Sequence, residues 1–95
     1  MKIELTKAIT YQGKEYKKID FDFDSLTGAE ILDAKSTMVQ SDIYVDSYAP
    51  QLSMEFQARV AARAGKVPYE VIKALPAREF LKVAAGTKDF LLEMA

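Results

Sequence analysis

The stretch Asp20-Phe21-Asp22-Phe23-Asp24-Ser25-Leu26-Thr27-Gly28-Ala29-Glu30 decides how this chain is read. Three aspartates at alternate positions, with a glutamate downstream, have the look of a calcium loop. The same residues also read as a strand running into the start of a helix. A helix-flanked calcium loop takes ligands from positions one, three, five, seven, nine and twelve, with glycine at six and a bidentate glutamate at twelve. Counted from Asp20, position six is Ser25, position twelve is Ile31, and the acid falls one place early at Glu30. The segment around the aspartates alternates, with Ile19, Phe21 and Phe23 on one side and Lys18, Asp20, Asp22 and Asp24 on the other. That is the period of a half-buried strand, and calcium binding would pull both phenylalanines off the buried face. The aspartates are therefore expected to be the wet face of a strand, and no metal is expected.

Upstream, Ile3, Leu5 and Ile9 occupy odd positions with Glu4 and Thr6 between them, again a strand pattern. Tyr11-Gln12-Gly13-Lys14 supplies a turn, with Gly13 free to take positive φ. Tyr16 has the wrong parity for the inward face of Ile19 and Phe21, which places a bulge near Lys17 and Lys18. The two runs make a β-hairpin over residues 1–24, and a lone hairpin is marginal in water, so it must pack on something.

Downstream the period changes. Thr27-Gly28-Ala29-Glu30 fits a capping box and predicts a helix over residues 28–38, with Ile31, Ala34 and Met38 at helical spacing. Residues 39–48 show no clear period and read as a loop, a short helix or a partly ordered segment. Pro50 suits the first turn of a second helix. In that helix Leu52, Phe56, Val60 and Ala64 form one ridge, and Glu55 to Arg59 is a favourable pair one turn apart. Gly65 is the expected stop, Pro68 opens a short helix through Leu75, and Pro76 restarts the chain. The last helix is expected over residues 77–94, with an interruption at Gly86. The expected fold is α+β, one domain over residues 1–95, with the N-terminal β-hairpin packed on three to four short α-helices in residues 25–95.

Composition narrows the chemistry. The 95 residues carry a net charge of −1 and contain no cysteine, histidine or tryptophan. Disulfides, thiolate metal sites, cysteine nucleophiles and histidine bases are thereby excluded. No serine stands in a G-x-S-x-G turn, and there is no glycine-rich phosphate loop. The expectation is a non-enzyme without a cofactor. No apolar run is long enough to cross a membrane, and Glu4 within the first five residues speaks against a signal peptide. Arg59, Arg63, Lys66, Lys73 and Arg78 read as a solvated helix face. A small nucleic-acid-binding or regulatory domain using the helix of Arg59 and Arg63 is the alternative, but the mild charge balance gives no strongly basic stripe.

The C-terminal half has more apolar side chains than a small core needs. Phe80, Val83, Ala84, Leu91 and Met94 share one side of the last helix, and Leu81, Ala85, Phe90 and Leu92 broaden that stripe. Such a surplus marks either a wide core contact or a surface for self-association or a partner helix. Phe80, Val83, Phe90, Leu91 and Met94 are the candidate contact residues.

The order of these elements resembles the small tail assembly chaperones of tailed bacteriophages. The resemblance covers about residues 9–92 and rests on the Tyr11-x-Gly13 turn, the Leu26 to Glu30 junction, the Val60 to Glu70 helix break, and the ending with Phe80, Val83, Phe90 and Leu91. It implies a non-enzymatic role in the host cytoplasm, outside the mature virion. The implied partners are the tape measure protein, which such chaperones keep soluble until tail-tube subunits polymerise around it, the tail-tube protein, and sister copies in a homo-oligomer.

Overall fold

The computed structural model describes residues 1–37 and 53–93. Its α+β architecture is a two-stranded antiparallel hairpin followed, among the described residues, by four α-helices. Strand β1 spans Lys2–Tyr11 and β2 spans Lys14–Asp20. Between them Gln12 and Gly13 take φ of 50° and 80°. Two positive-φ residues make the tight turn whose twist matches a hairpin, which is why a glycine stands at its second position.

The bulge expected near Lys17 lies at that level, but the extra residues are on the other strand. Ile3 pairs with Ile19 and Glu4 with Lys18, after which Ile9 pairs with Tyr16. Four β1 residues, Leu5 to Ala8, therefore face Lys17 alone. This shift lets Tyr16 and Ile19, of opposite parity, both pack against one core.

The bulge is held from the far end of the chain. Glu79 Oε1 accepts hydrogen bonds from the Thr6 backbone N–H at 3.0 Å and the Thr6 hydroxyl at 2.7 Å. A bulge frees a backbone N–H from the ladder, and the carboxylate supplies the missing acceptor. The Thr6 hydroxyl, then its N–H, hold the Glu79 carboxyl below the usual carboxylate range against the opposing effect of burial, with Lys82 contributing less.

Strand β2 was expected to run to Asp24, but its described end is Asp20. Phe21 still pairs with Met1, its N–H donating to the Met1 carbonyl at 2.7 Å, and the Asp22 N–H then donates to the Ala64 carbonyl at 3.1 Å. Phe23–Ser25 close a turn of 3₁₀ helix. Asp20, Asp22 and Asp24 are all exposed, the latter two on this turn rather than on a strand. The capping box forms: the Thr27 hydroxyl accepts from Glu30 N–H at 3.3 Å, and the Glu30 carboxylate accepts from Thr27 N–H at 3.1 Å. It starts α1, Gly28–Ser36.

Helix α2, Met54–Gly65, is the centre of the domain. Ser53 caps it, its hydroxyl accepting from Phe56 N–H at 3.3 Å, so the helix starts after the position expected from Pro50. Pro50, Leu52 and the 39–48 segment lie outside the described residues. Phe56, Val60 and Ala64 are buried as expected, and Ala58, Ala61 and Ala62 bury further faces. Small side chains let α1, α3, α4 and the hairpin all pack against one helix.

Gly65 serves a different purpose from the expected stop. The left-handed residue that ends α2 is Lys66, at φ 55°. A Cβ on Gly65 would sit 2.8 Å from Ile19 Cγ2 and 3.0 Å from Phe21 Cε1. The glycine is there so that hairpin and helix can touch. Pro68 and Pro76 each stand immediately before a helix, α3 at Tyr69–Lys73 and α4 at Ala77–Leu92. Helix α4 passes Gly86 without the expected interruption, since one glycine costs a packed helix only about 1 kcal/mol.

Two apolar clusters result. The larger joins Ile19 and Phe21 of the hairpin segment to the alanines of α2, to Val71, Ile72 and Leu75, and to Val83 of α4. The smaller holds Ala34, Phe56 and Val60, with Leu26, Ile31 and Leu91 packed around them.

Candidate interaction surface

Helix α4 carries most of the expected contact residues, and its two sides differ. The inner side holds Glu79, Val83, Ala84 and Thr87, all buried. Val83 is 1% exposed within the larger cluster. Its expected place on a contact surface is therefore corrected: helical phase puts it on the core side. Thr87 satisfies its hydroxyl within the helix, donating to the Val83 carbonyl at 2.8 Å.

Phe80, Phe90 and Leu91 are half-buried at the margins. Phe80 packs against the larger cluster and Leu91 against the smaller. The Phe90 ring stacks on Phe23 with centroids 5.1 Å apart, and Phe23 lies 6.3 Å from Phe21, forming an aromatic row beneath α4. Met94 lies outside the described residues.

The outer side bears Leu81 at 52% exposure and Leu92 at 41%, with exposed Ala85 and Lys88 between them. Leu81 borders a hollow of 420 Å³ lined by Lys73, Leu75, Ala77 and Phe80 at the α3–α4 corner. Toward the other end of α4 a groove of 440 Å³ has Phe21, Phe23 and Phe90 among its walls and Asp22, Asp24, Asp89 and Glu93 at its rim. Sequence periodicity marked Leu81 and Leu92 as surplus, but could not say that they, rather than Val83, face solvent.

The residues of the alternative basic site are arranged differently. Arg59 Nε donates to Glu55 Oε2 at 3.0 Å, and Nη1 donates to the Thr37 hydroxyl at 3.3 Å. Its guanidinium lies 4.1 Å from the Tyr69 ring centroid, and its side chain is 16% exposed. Arg59 thus joins α1, α2 and α3 in one cation–π and ion-pair cluster. Burial pushes the Tyr69 phenol above its ordinary pKa, Arg59 opposes that shift, and Glu55 and Glu70 reinforce it. Arg63 and Lys66 line the neighbouring groove of 410 Å³, together with Glu30.

Among the described residues no three His, Cys, Asp or Glu side chains are grouped to hold a metal ion, and no helix is long and apolar enough to cross a membrane. Compared with known proteins, the chain matches no family model, no curated protein and no solved structure.

Proposed function

We propose that this protein is a tail assembly chaperone that holds apolar helical segments of a tape measure protein in the host cytoplasm until tail-tube subunits replace it. The reading rests on the resemblance in element order, and one observation supports it above the rest. Leu81 and Leu92 are open on the outer side of α4, the longest helix among the described residues, with Leu81 beside the hollow lined by Leu75 and Phe80. An exposed apolar strip of this kind suits an amphipathic client helix laid along it. Weak apolar contacts, easily displaced by tube subunits, suit a holdase. Phe80, Phe90 and Leu91 would contribute their exposed edges, with Leu81 and Leu92 the main contacts. Co-expression with the tape measure protein tests this. The soluble fraction of the tape measure protein should rise with the wild-type chain and fall back with Leu92→Glu. Solubility that ignores the chaperone would sink the proposal.

A further inference from the structure

The outer side of α4 has a pattern that an apolar strip alone does not require. Leu81, Ala85, Lys88 and Leu92 recur at spacings of four, three and four, the seam of a two-helix coiled coil, and all four are exposed. The charges beside the seam are sorted by position. Arg78 and Lys82 flank its first half, with Lys73 at the adjoining corner, whereas Asp89 and Glu93 flank its second half, with Asp22 and Asp24 near by. Among the described residues none of Arg78, Lys82, Asp89 and Glu93 closes an ion pair within the chain.

This order also runs against the helix itself. A helix is stabilised by acids near its N-terminus and bases near its C-terminus. Past Glu79, whose carboxylate is taken by Thr6, Lys82 precedes Asp89 and the C-cap Glu93, and although Lys88 stands in the seam, α4 has no basic residue in its last turn. Lys82 favours Glu79 three residues away, but intrahelical stability does not account for the acids at the C-terminal end, whereas an antiparallel neighbour with the same sequence does.

We infer that the outer face of α4 is a two-fold interface that pairs antiparallel with α4 of a second copy of this chain. The seam fixes the register. Leu81 falls opposite Leu92 of the second copy, where the Leu75–Phe80 hollow receives it, and Ala85 falls opposite Lys88. The small Ala85 leaves room for the aliphatic stem of Lys88 to lie across the seam with its ammonium in water. Lys82 of each copy then flanks Asp89 of the other, and Glu93 lies toward Arg78 and Lys73. A parallel pair would instead set Lys88 against Lys88 and bring basic ends together. The interface is isologous, so each favourable pair occurs twice. The flanking charges select orientation more than they add affinity. The client helix and the second copy would use the same strip, so the dimer is the client-free form and a client displaces the second copy. The inference stands on the charge order of α4 and does not depend on the identity of the client.

Charge reversal with compensation tests it by sedimentation equilibrium. The wild-type chain should dimerise, Lys82→Glu should weaken the dimer at least about tenfold, a 1.4 kcal/mol change, and Lys82→Glu with Asp89→Lys should restore it. Because the chain has no cysteine, register can be read by disulfide trapping of an equimolar mixture of Ala85→Cys and Lys88→Cys chains. The mixed disulfide should form faster than either homodimeric one. A wild-type monomer at all concentrations, a double variant no tighter than the single, or faster homodimeric trapping would overturn the inference. All four positions are exposed, so the variants should match the wild-type melting temperature at dilutions where both are monomeric.

Discussion

The inner and outer sides of α4 both carry apolar residues, yet one side is buried and the other is open. On the inner side Val83 is 1% exposed and Glu79 is 5% exposed, each with partners in another element. On the outer side Leu81 and Leu92 are 52% and 41% exposed, in a helix that shares its sixteen residues between both faces. Hydrophobic character therefore does not separate core from surface in this helix. What separates them is phase relative to α2 and to the bulge at Thr6, which fix how α4 is rotated. The inner side is specified by single partners, such as one carboxylate serving one hydroxyl and one N–H. The outer side carries exposed Leu81, Ala85, Lys88 and Leu92 at spacings of four, three and four, the pattern on which the proposed pairing rests.

The difference is sharpest in a direct exchange of character. Val83→Asp places a carboxylate among Ile72, Val71 and their neighbours and should cost at least about 4 kcal/mol, so that thermal melting shows little or no folded protein. Gly65→Ala, at the tightest contact of the hairpin with α2, should cost about 1–3 kcal/mol, since the new Cβ would press on Ile19 and Phe21. In a domain of this size that lowers the melting temperature by about 4–8 °C per kcal/mol. A Gly65→Ala variant that melts like the wild type would show that the hairpin packs more loosely than the 2.8 Å approach indicates.

The Glu79 contact adds a pH signature confined to the inner side. Its carboxyl is held below the ordinary value in the folded chain. The stabilisation from the ionised group is therefore complete above the unfolded carboxyl pKa of about 4.3 and is lost as pH falls through the folded value. The stability advantage of wild type over Glu79→Gln should be steady near neutrality and shrink in urea titrations as the pH is taken from about 5 toward 3. An advantage independent of pH would mean that the amide replaces the carboxylate without loss. Smallest in stability is Leu92→Glu, which should change the unfolding free energy of the monomer, measured at high dilution, by no more than about 0.5 kcal/mol. That variant breaks the comparison if it unfolds the chain.

Much of the fold was legible in the sequence because its signals are local. The capping box of Thr27 and Glu30, the Gln12–Gly13 turn, and the two prolines before α3 and α4 each act within a few residues. The remainder depended on contacts between distant segments. Nothing near Thr6 announces that Glu79 will anchor it, so parity points to the neighbourhood of Lys17 while the extra residues of the bulge are on β1. Gly65 looked like a helix stop because chain position suggests that role. Its actual reason, the approach of Ile19 and Phe21, exists only in three dimensions. Likewise Arg59 showed its partner Glu55 one turn away, but its contacts with Thr37 and Tyr69 come from other helices. For the candidate surface, the sequence revealed the apolar surplus of α4 and left its division open. With apolar residues on both sides, period alone could not decide whether Val83 or Leu81 faced the core.

The division of α4 into a core side and a proposed interface side is tested most directly by one paired measurement. Molar mass by light scattering is followed across a concentration series for the wild-type chain and for Leu92→Glu, with their melting temperatures compared at a dilution where both are monomeric. The account predicts a wild-type mass that climbs toward twice the 10.6 kDa of the chain, and a variant that stays monomeric while equally stable. Equal masses for the two chains, or a variant that loses its fold together with its partner, would contradict it.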